Sequence, residues 1–318
     1  MTAAQDTIRS PRRLDDVPGW FPVLDQTLFT WHLERQRSAG LRGDLVEVGV
    51  YMGKSAILLG HHRQPGERYT VCDLFEGDAP DGANRAESTK SYSALTQRAF
   101  EENYLSFHDE LPRVLAGPSS RVREEVEPGT CRFVHIDASH LYEHVHGDIG
   151  AAHDLLMPDG IVVLDDFRSE HTPGVSVAAW EAVLNRGLRP ICLSTQKLYG
   201  TWGDASAVQK ELLSMVRGRE DCHLSVQEAA GHPIVRLKSK GMQAPPFPFS
   251  RHHTGDADID VERDGPDAVT PSAAPPPAPW RRRGRRIAAD LLPPVLTRAV
   301  RNARASRRAT AQLPGGPR

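Results

Sequence analysis

Between Leu45 and Leu164 one pattern recurs five times: a short run rich in aliphatic and β-branched residues, followed by a longer amphipathic stretch. The runs are Leu45–Val50, Tyr69–Leu74, Val114–Ala116, Cys131–Ile136 and Ile161–Leu164, and Tyr142–Leu156, between the last two, has helical periodicity. A strand that shows no polar face is covered on both sides, which is the condition of a strand inside a parallel sheet. Strand and helix in alternation therefore predict an α/β fold, a mostly parallel sheet with helices on both faces. Two more runs, Ile191–Thr195 and Leu198–Trp202, are separated by Gln196 and Lys197 alone. Two residues suffice for a hairpin turn and not for a crossover helix, so an antiparallel edge strand is expected. Upstream, Leu24, Leu28 and Trp31 fall at helix spacing within Val23–Gly40, with Gly40 placed to cap the helix C-terminus.

The 318 residues, 39% hydrophobic, are enough for one large core with appendages. Residues 1–19 read as an N-terminal extension and 20–240 as the main domain, which includes a further helix over Ala205–Val216 and two strand-like runs. From Gly241 to Pro279 the chain is rich in Pro, Ala, Asp and His without hydrophobic periodicity, the composition of a disordered linker. The net charge of −2 divides into +10 on Arg281–Arg318, where 11 arginines face a single acid, Asp290, and −12 on everything before it. Within the basic tail, 280–318, Ile287, Leu291, Leu292, Val295, Leu296 and Val300 suit either short amphipathic helices on an anionic membrane or a partner, or a solvated tail. No uninterrupted apolar run approaches the roughly 18 residues of a membrane span, and Met1–Arg13 is polar, so a soluble, cytoplasmic protein is expected. Cys72, Cys131, Cys192 and Cys222 form no C-x-x-C pair, so buried free thiols are expected rather than disulfides or a zinc site.

Ligands of an open parallel sheet bind beyond the carboxyl ends of its strands, so the residues that end each run are the candidate site. The first run passes through Glu47 into a bend, Gly49-Val50-Tyr51-Met52-Gly53, and a helix beginning near Ser55. Glycines there allow backbone to approach a ligand, although the spacing is neither a dinucleotide fingerprint nor a P-loop, and a tight turn without a ligand is the alternative. Asp73 ends the second run, where a carboxylate can accept both hydroxyls of a ribose. Ser119, in the loop Gly117-Pro118-Ser119-Ser120, either contacts an adenine edge or simply shapes the loop. Asp137 and the pair Asp165-Asp166 end the fourth and fifth runs. Neighbouring carboxylates repel and are costly to desolvate, so either a divalent cation compensates them, Mg²⁺ or Mn²⁺ for oxygen ligands, or they cap the following helix. His135, inside its strand, reads as a core residue, whereas His140, past the strand end, either takes a proton from a hydroxyl nucleophile or only hydrogen-bonds.

Together these segments resemble the class I S-adenosylmethionine-dependent methyltransferases. Glu47–Ser55 is similar to their first motif, and Asp73-Leu74-Phe75-Glu76-Gly77 looks like the D-x-F-x-G motif of the macrocin O-methyltransferase group. Ile136–Glu143 and Pro158–Phe167 resemble the D-G-S-H-x-Y-E and P-G-G-x-x-x-x-D-D-Y motifs of that group and its sugar-modifying relatives. The resemblance spans Trp20 to Trp202 and implies a Rossmann-like sheet. It also implies that Glu47, Gly49 and Gly53 hold S-adenosylmethionine, with Tyr51 and Ser55 of the same bend, Ser119 and Asp137 beside it. Asp73 would bind the ribose and Asp137, Asp165 and Asp166 the Mg²⁺ or Mn²⁺. The chain departs from the pattern at Ser139, where some relatives have a catalytic carboxylate, and at Ala138 and Asp159, which replace glycines.

The expected reaction is O-methylation of a small-molecule or saccharide acceptor, a sugar or glycosylated natural product, with Asp137 and His140 as catalytic residues. Rival readings are a methyltransferase-like hydroxylase component and a non-catalytic protein that acts through its basic tail. Acids at four strand ends argue against the last, and nucleic acid is disfavoured as a partner. Self-association into a homo-oligomer stays open.

Overall fold

A computed structural model describes residues 10–91 and 95–254, without the side chains of 87–94. Among the described residues nine strands form one sheet: β1 Asp44–Val48, β2 Tyr69–Asp73, β3 Arg113–Ala116, β4 Cys131–Ile136, β5 Leu156–Leu164, β6 Arg189–Leu193, β7 Leu198–Thr201, β8 Cys222–Ala229 and β9 His232–Ser239. Their order is β3-β2-β1-β4-β5-β7-β6-β9-β8. The first five run parallel, as the alternation predicts. The antiparallel strand expected at an edge is β7, and it lies inside the sheet, hydrogen-bonded to β5 on one side and β6 on the other. All four of its residues are buried, the signature of an internal strand. The edge beyond β6 is instead a hairpin, β9–β8, closed at Ala230 and Gly231, both at positive φ as a two-residue hairpin turn requires.

The helices are α1 Val23–Ser38, α2 Lys54–His61, α3 Gly82–Ser91, α4 Gln97–Leu105, α5 Val122–Glu125, α6 Tyr142–Leu155, α7 Pro173–Asn185 and α8 Ala205–Val216. Successive strand residues alternate between two cores: Leu45, Phe133, Ile161 and Val163 pack under α1, α2, α4 and α8, whereas Val46, Val134, Val162 and Leu164 pack under α5, α6 and α7. Period-2 alternation between two apolar layers is why these runs carry no polar face. α1 ends as its sequence predicts. Gly40 has φ +72, its N–H bonds to the carbonyl of Arg37, and the next N–H, of Leu41, bonds to that of Gln36, the paired bonds of a glycine cap. In β5, Gly160 sits in the irregularity that shifts the register against β4, and a Cβ there would lie 2.6 Å from Leu156.

Two segments depart from the expected boundaries. Leu14 and Val17 are buried in the α1 core, so the domain begins before Trp20. Residues 241–254, expected in a disordered linker, are fixed: Met242 is buried, Phe247 packs on the same core, and Ser250 bonds back to Pro11 and Arg12. Apolar residues dispersed among prolines lack periodicity, yet Met242 and Phe247 pack on the core, while Phe249 stays exposed. The remaining linker and the basic tail lie outside the described residues. All four cysteines are free and buried. Among the described residues no helix is long and apolar enough to cross a membrane.

Candidate functional site

Pairing continues one residue past β1, β3, β4 and β5, which levels the strand tips into a rim. The N–H of Gly49 bonds to Cys72, that of Asp137 to Val48, that of Asp165 to Ile136 and that of Gly117 to Asp73. Above this rim opens a cavity of about 1280 Å³. Gly49, Tyr51, Ser55, Asp73 and Ser119 line it, as do Asp137, His140, Asp165 and Asp166. Tyr51, Phe75 and Asp166, each just beyond a strand tip, hold φ between +48° and +53°. Such conformations cost free energy in residues with a β-carbon and concentrate at functional sites.

Glu47 and Gly53, expected to hold a cofactor, do not line the cavity. Glu47 is 0% exposed and accepts hydrogen bonds from Ser55 Oγ (2.5 Å) and Tyr69 OH (2.6 Å), with His135 Nδ1 2.9 Å away. Its carboxylate fastens α2, β2 and β4 beneath the floor of the site. Gly49 is required by the protein itself: at φ +83 a Cβ would stand 2.0 Å from the Asp137 carbonyl oxygen. Asp73 shapes the bend above. Its Oδ2 accepts from the N–H groups of Val50 (2.8 Å) and Tyr51 (3.0 Å), and its Oδ1 from that of Phe75 (3.0 Å). Burial pushes its pKa up; these three backbone donors pull the other way without cancelling the rise. Two donors fill Oδ2, and Oδ1, with one, retains acceptor capacity for a ligand.

The acids at the tips of β4 and β5 find partners within the protein. Lys197, 1% exposed at the start of β7, aims its ammonium at Asp165 Oδ2, with His135 Nε2 3.4 Å away. Burial disfavours this charge, yet Asp165, Asp137 and Asp25 outweigh it and raise the pKa of Lys197. Burial also pushes Asp165 up, but Lys197 and His135 hold it below the ordinary carboxylate range. Asp137 goes the opposite way, raised by burial and then by the charge of Asp165, with which it shares a hydrogen bond. Asp166, turned aside by its positive φ, lies 3.0 Å from His140 Nε2 and accepts from Ser169 Oγ at 2.5 Å. His140 is the main cause of its lowered pKa.

The three acids expected to share one cation therefore split into two clusters. His135, Asp137 and Asp165 form one, and Asp137, His140 and Asp166 the other. In the first, the Lys197 ammonium already neutralises Asp165, so that cluster does not fit a cation. The second offers two carboxylates and an imidazole whose ligand atoms lie within 4.8 Å of one another, a set that fits a divalent ion.

Three residues of the site were absent from the sequence reading. Lys197 is one; as a turn residue beside an apolar run it gave no signal. Asp148 is another. It lines the cavity from α6, 6% exposed, among inward-facing Val145, Ile149 and Ala152, and an acid on the buried stripe of a helix is a signal the sequence did contain. Trp20 is the third, 78% exposed at the cavity and stacked on Tyr51 with ring centroids 5.8 Å apart.

Comparison with known proteins adds to this geometry. Similar solved structures include the O-methyltransferase NovP, 21% identical over 56% of this chain and 79% of that one, with a TM-score of 0.45. The calicheamicin methyltransferase CalS11 is 20% identical over 58% of this chain and 82% of its own, with a TM-score of 0.44. The O-methyltransferase TomG from Streptomyces achromogenes is 17% identical over 69% and 79%, with a TM-score of 0.31. No curated protein matches the chain. Residues 46–167 match the family model of a methyltransferase domain, a stretch that holds every acidic residue lining the cavity and leaves Trp20 and Lys197 outside.

Proposed function

We propose that this chain transfers the methyl group of S-adenosylmethionine to a hydroxyl oxygen of a sugar or glycosylated natural product. The reading is carried by convergence: the glycine bend, Asp73, Ser119 and the Asp137–His140–Asp166 cluster meet at one cavity, within the stretch that matches a methyltransferase domain. Bound S-adenosylmethionine supplies a methyl carbon on a sulfonium, already activated for displacement, so the protein's task is alignment and exclusion of water. The bend at Gly49–Tyr51 and the remaining acceptor site of Asp73 Oδ1 position the ribose and methionine portions. Trp20 on Tyr51 offers an aromatic face to the apolar side of a sugar ring. His140 takes the acceptor proton onto its imidazole, while Asp166 orients the ring and stabilises the charge that results.

A divalent cation, Mg²⁺ or Mn²⁺, would be held by Asp137, Asp166 and His140, with Asp165 left to Lys197; an imidazole that ligates the cation takes no proton, so the cation would then replace His140 in activating the hydroxyl. When bound there it would lower the pKa of a coordinated hydroxyl. The test is calorimetry of the full-length chain with S-adenosylmethionine, then transfer of a labelled methyl group to candidate glycosides before and after EDTA, with Mg²⁺ or Mn²⁺ restored. Binding heat and label on an acceptor oxygen are expected. Absence of cofactor binding removes the reading, and activity indifferent to EDTA removes the cation and leaves His140 and Asp166 as the base.

A further inference from the structure

Asp165 and Asp166 are adjacent acids at the tip of β5, and one turn serves both. It runs from Ser194 to Lys197, between β6 and β7. Its last residue, Lys197, takes Asp165. The neighbouring Gln196 reaches the loop after β5 instead, where its backbone carbonyl accepts the N–H of Arg168 and its side-chain amide lies 2.9 Å from Ser169 Oγ. Ser169 Oγ is in turn 2.5 Å from Asp166 Oδ1, and Asp166 Oδ2 is 3.0 Å from His140 Nε2. Gln196 and Ser169 both line the cavity, and both lie beyond the stretch that matches a methyltransferase domain.

Proton counting gives this chain a direction. At neutral pH a carboxylate only accepts, so the single hydroxyl proton of Ser169 goes to Asp166. Ser169 Oγ is then an acceptor toward Gln196, and the amide meets it through its NH2 group, which a half-turn about the last side-chain bond supplies. Both bonds therefore donate toward Asp166. With Oδ1 held by Ser169, Oδ2 stays on the side of His140. Asp166 needs such a hold, because its side chain is 25% exposed and its neighbour Asp165 is an acid as well. The loop itself does not depend on these two side chains: Thr172 Oγ1 bonds the Asp166 carbonyl, and the bond from Arg168 to Gln196 is backbone to backbone. We infer that Ser169 and Gln196 are positioning residues for the divalent cation, which they do not touch: they fix the Asp166 carboxylate in the orientation that closes the Asp137–His140–Asp166 cluster around Mg²⁺ or Mn²⁺. The inference rests on the cation reading above and extends it outward to the turn before β7.

The experiment titrates the full-length chain with Mn²⁺ at neutral pH and reads unbound Mn²⁺ by electron paramagnetic resonance, the site's share being the binding that Asp166→Ala abolishes. Ser169→Ala should weaken that binding by ~10- to 100-fold, the usual loss when the outer partner of a metal ligand is removed, and Ser169→Thr, which keeps the hydroxyl, should stay within ~3-fold of wild type. Gln196→Met keeps the bulk and lacks the amide. It should weaken binding by less than Ser169→Ala does and add nothing to that loss in the double variant, because it acts only through Ser169. Wild-type affinity in Ser169→Ala, or losses that multiply in the double variant, overturn the chain while the cation reading stands. If the wild-type protein binds no Mn²⁺ that Asp166→Ala abolishes, the cation reading fails and this inference with it.

Discussion

Lys197 places its ammonium against Asp165 with the Nε2 of His135 3.4 Å away, a buried cation at the centre of three otherwise repelling acids. Removing one partner of a buried pair leaves the other charge uncompensated, which costs about 3–5 kcal/mol. Lys197→Met should therefore lower the denaturant midpoint by a corresponding amount. Adding Asp165→Asn to it should recover much of the loss, because the pair is then gone as a unit. Additive losses in the double variant would show that the two charges do not interact.

His140 is predicted to act on the reaction more than on binding. His140→Ala should lower kcat by ~10²- to 10⁴-fold, the range for loss of a general base, with little change in S-adenosylmethionine affinity. Asp166→Asn should produce a smaller loss and shift the pH-rate profile, because it removes the group that orients the ring at 3.0 Å. Equal damage to cofactor affinity and turnover in His140→Ala would assign the residue to the binding surface.

Asp148 should make stability depend on pH. Burial raises its folded pKa to about 6, above the ordinary aspartate value of 3.8. The folded chain thus binds a proton that the unfolded chain releases, so the contribution is complete below about pH 4 and disappears as pH rises through 6. A shift of this size is on the order of 2–3 kcal/mol. Asp148→Asn should melt higher than wild type at pH 8 and lose that advantage near pH 4. The same difference at both pH values would mean that ionisation of Asp148 is not its source.

The two glycines of the bend should respond differently to a methyl group. Gly53→Ala carries a φ of +91 and a nearest contact at 3.0 Å, an aromatic carbon of Phe100, and should cost about 1–2 kcal/mol. Gly49→Ala must accommodate a Cβ 2.0 Å from a backbone oxygen and should exceed about 4 kcal/mol, in the range of the most damaging substitutions. Thermal melts of both proteins give the ranking, and the reverse order would contradict this account of the bend.

The sheet was legible because its strands bury both faces and so print near-continuous apolar runs, as in Cys131–Ile136 and Ile161–Leu164. The place of β7 was less so, since a short link to β6 implies a hairpin but not which strand receives it. Strand-end logic found Asp73, Asp137, His140, Asp165 and Asp166, all of which reach the cavity. It also selected Glu47, whose chemistry suits a ligand but whose carboxylate is consumed by Ser55, Tyr69 and His135. Two adjacent acids imply a compensating charge, and the sequence does not say whether an ion or a distant lysine provides it. Lys197 meets Asp165 across 32 residues because two strands adjoin, a relation that no local pattern encodes.

β7 is antiparallel to β5, so it presents its first residue at the rim where the parallel strands present their last, and Leu198 pairs with Leu164. The turn from Ser194 to Lys197, closed by the N–H of Ser194 on the carbonyl of Lys197, sets the phase of that delivery. One inserted residue would rotate Lys197 to the opposite face of the sheet and strand a positive charge in oil while the carboxylates went unanswered. Length variation, harmless in most surface connections, is here an electrostatic matter: the hairpin has a parity, and only one parity balances the site.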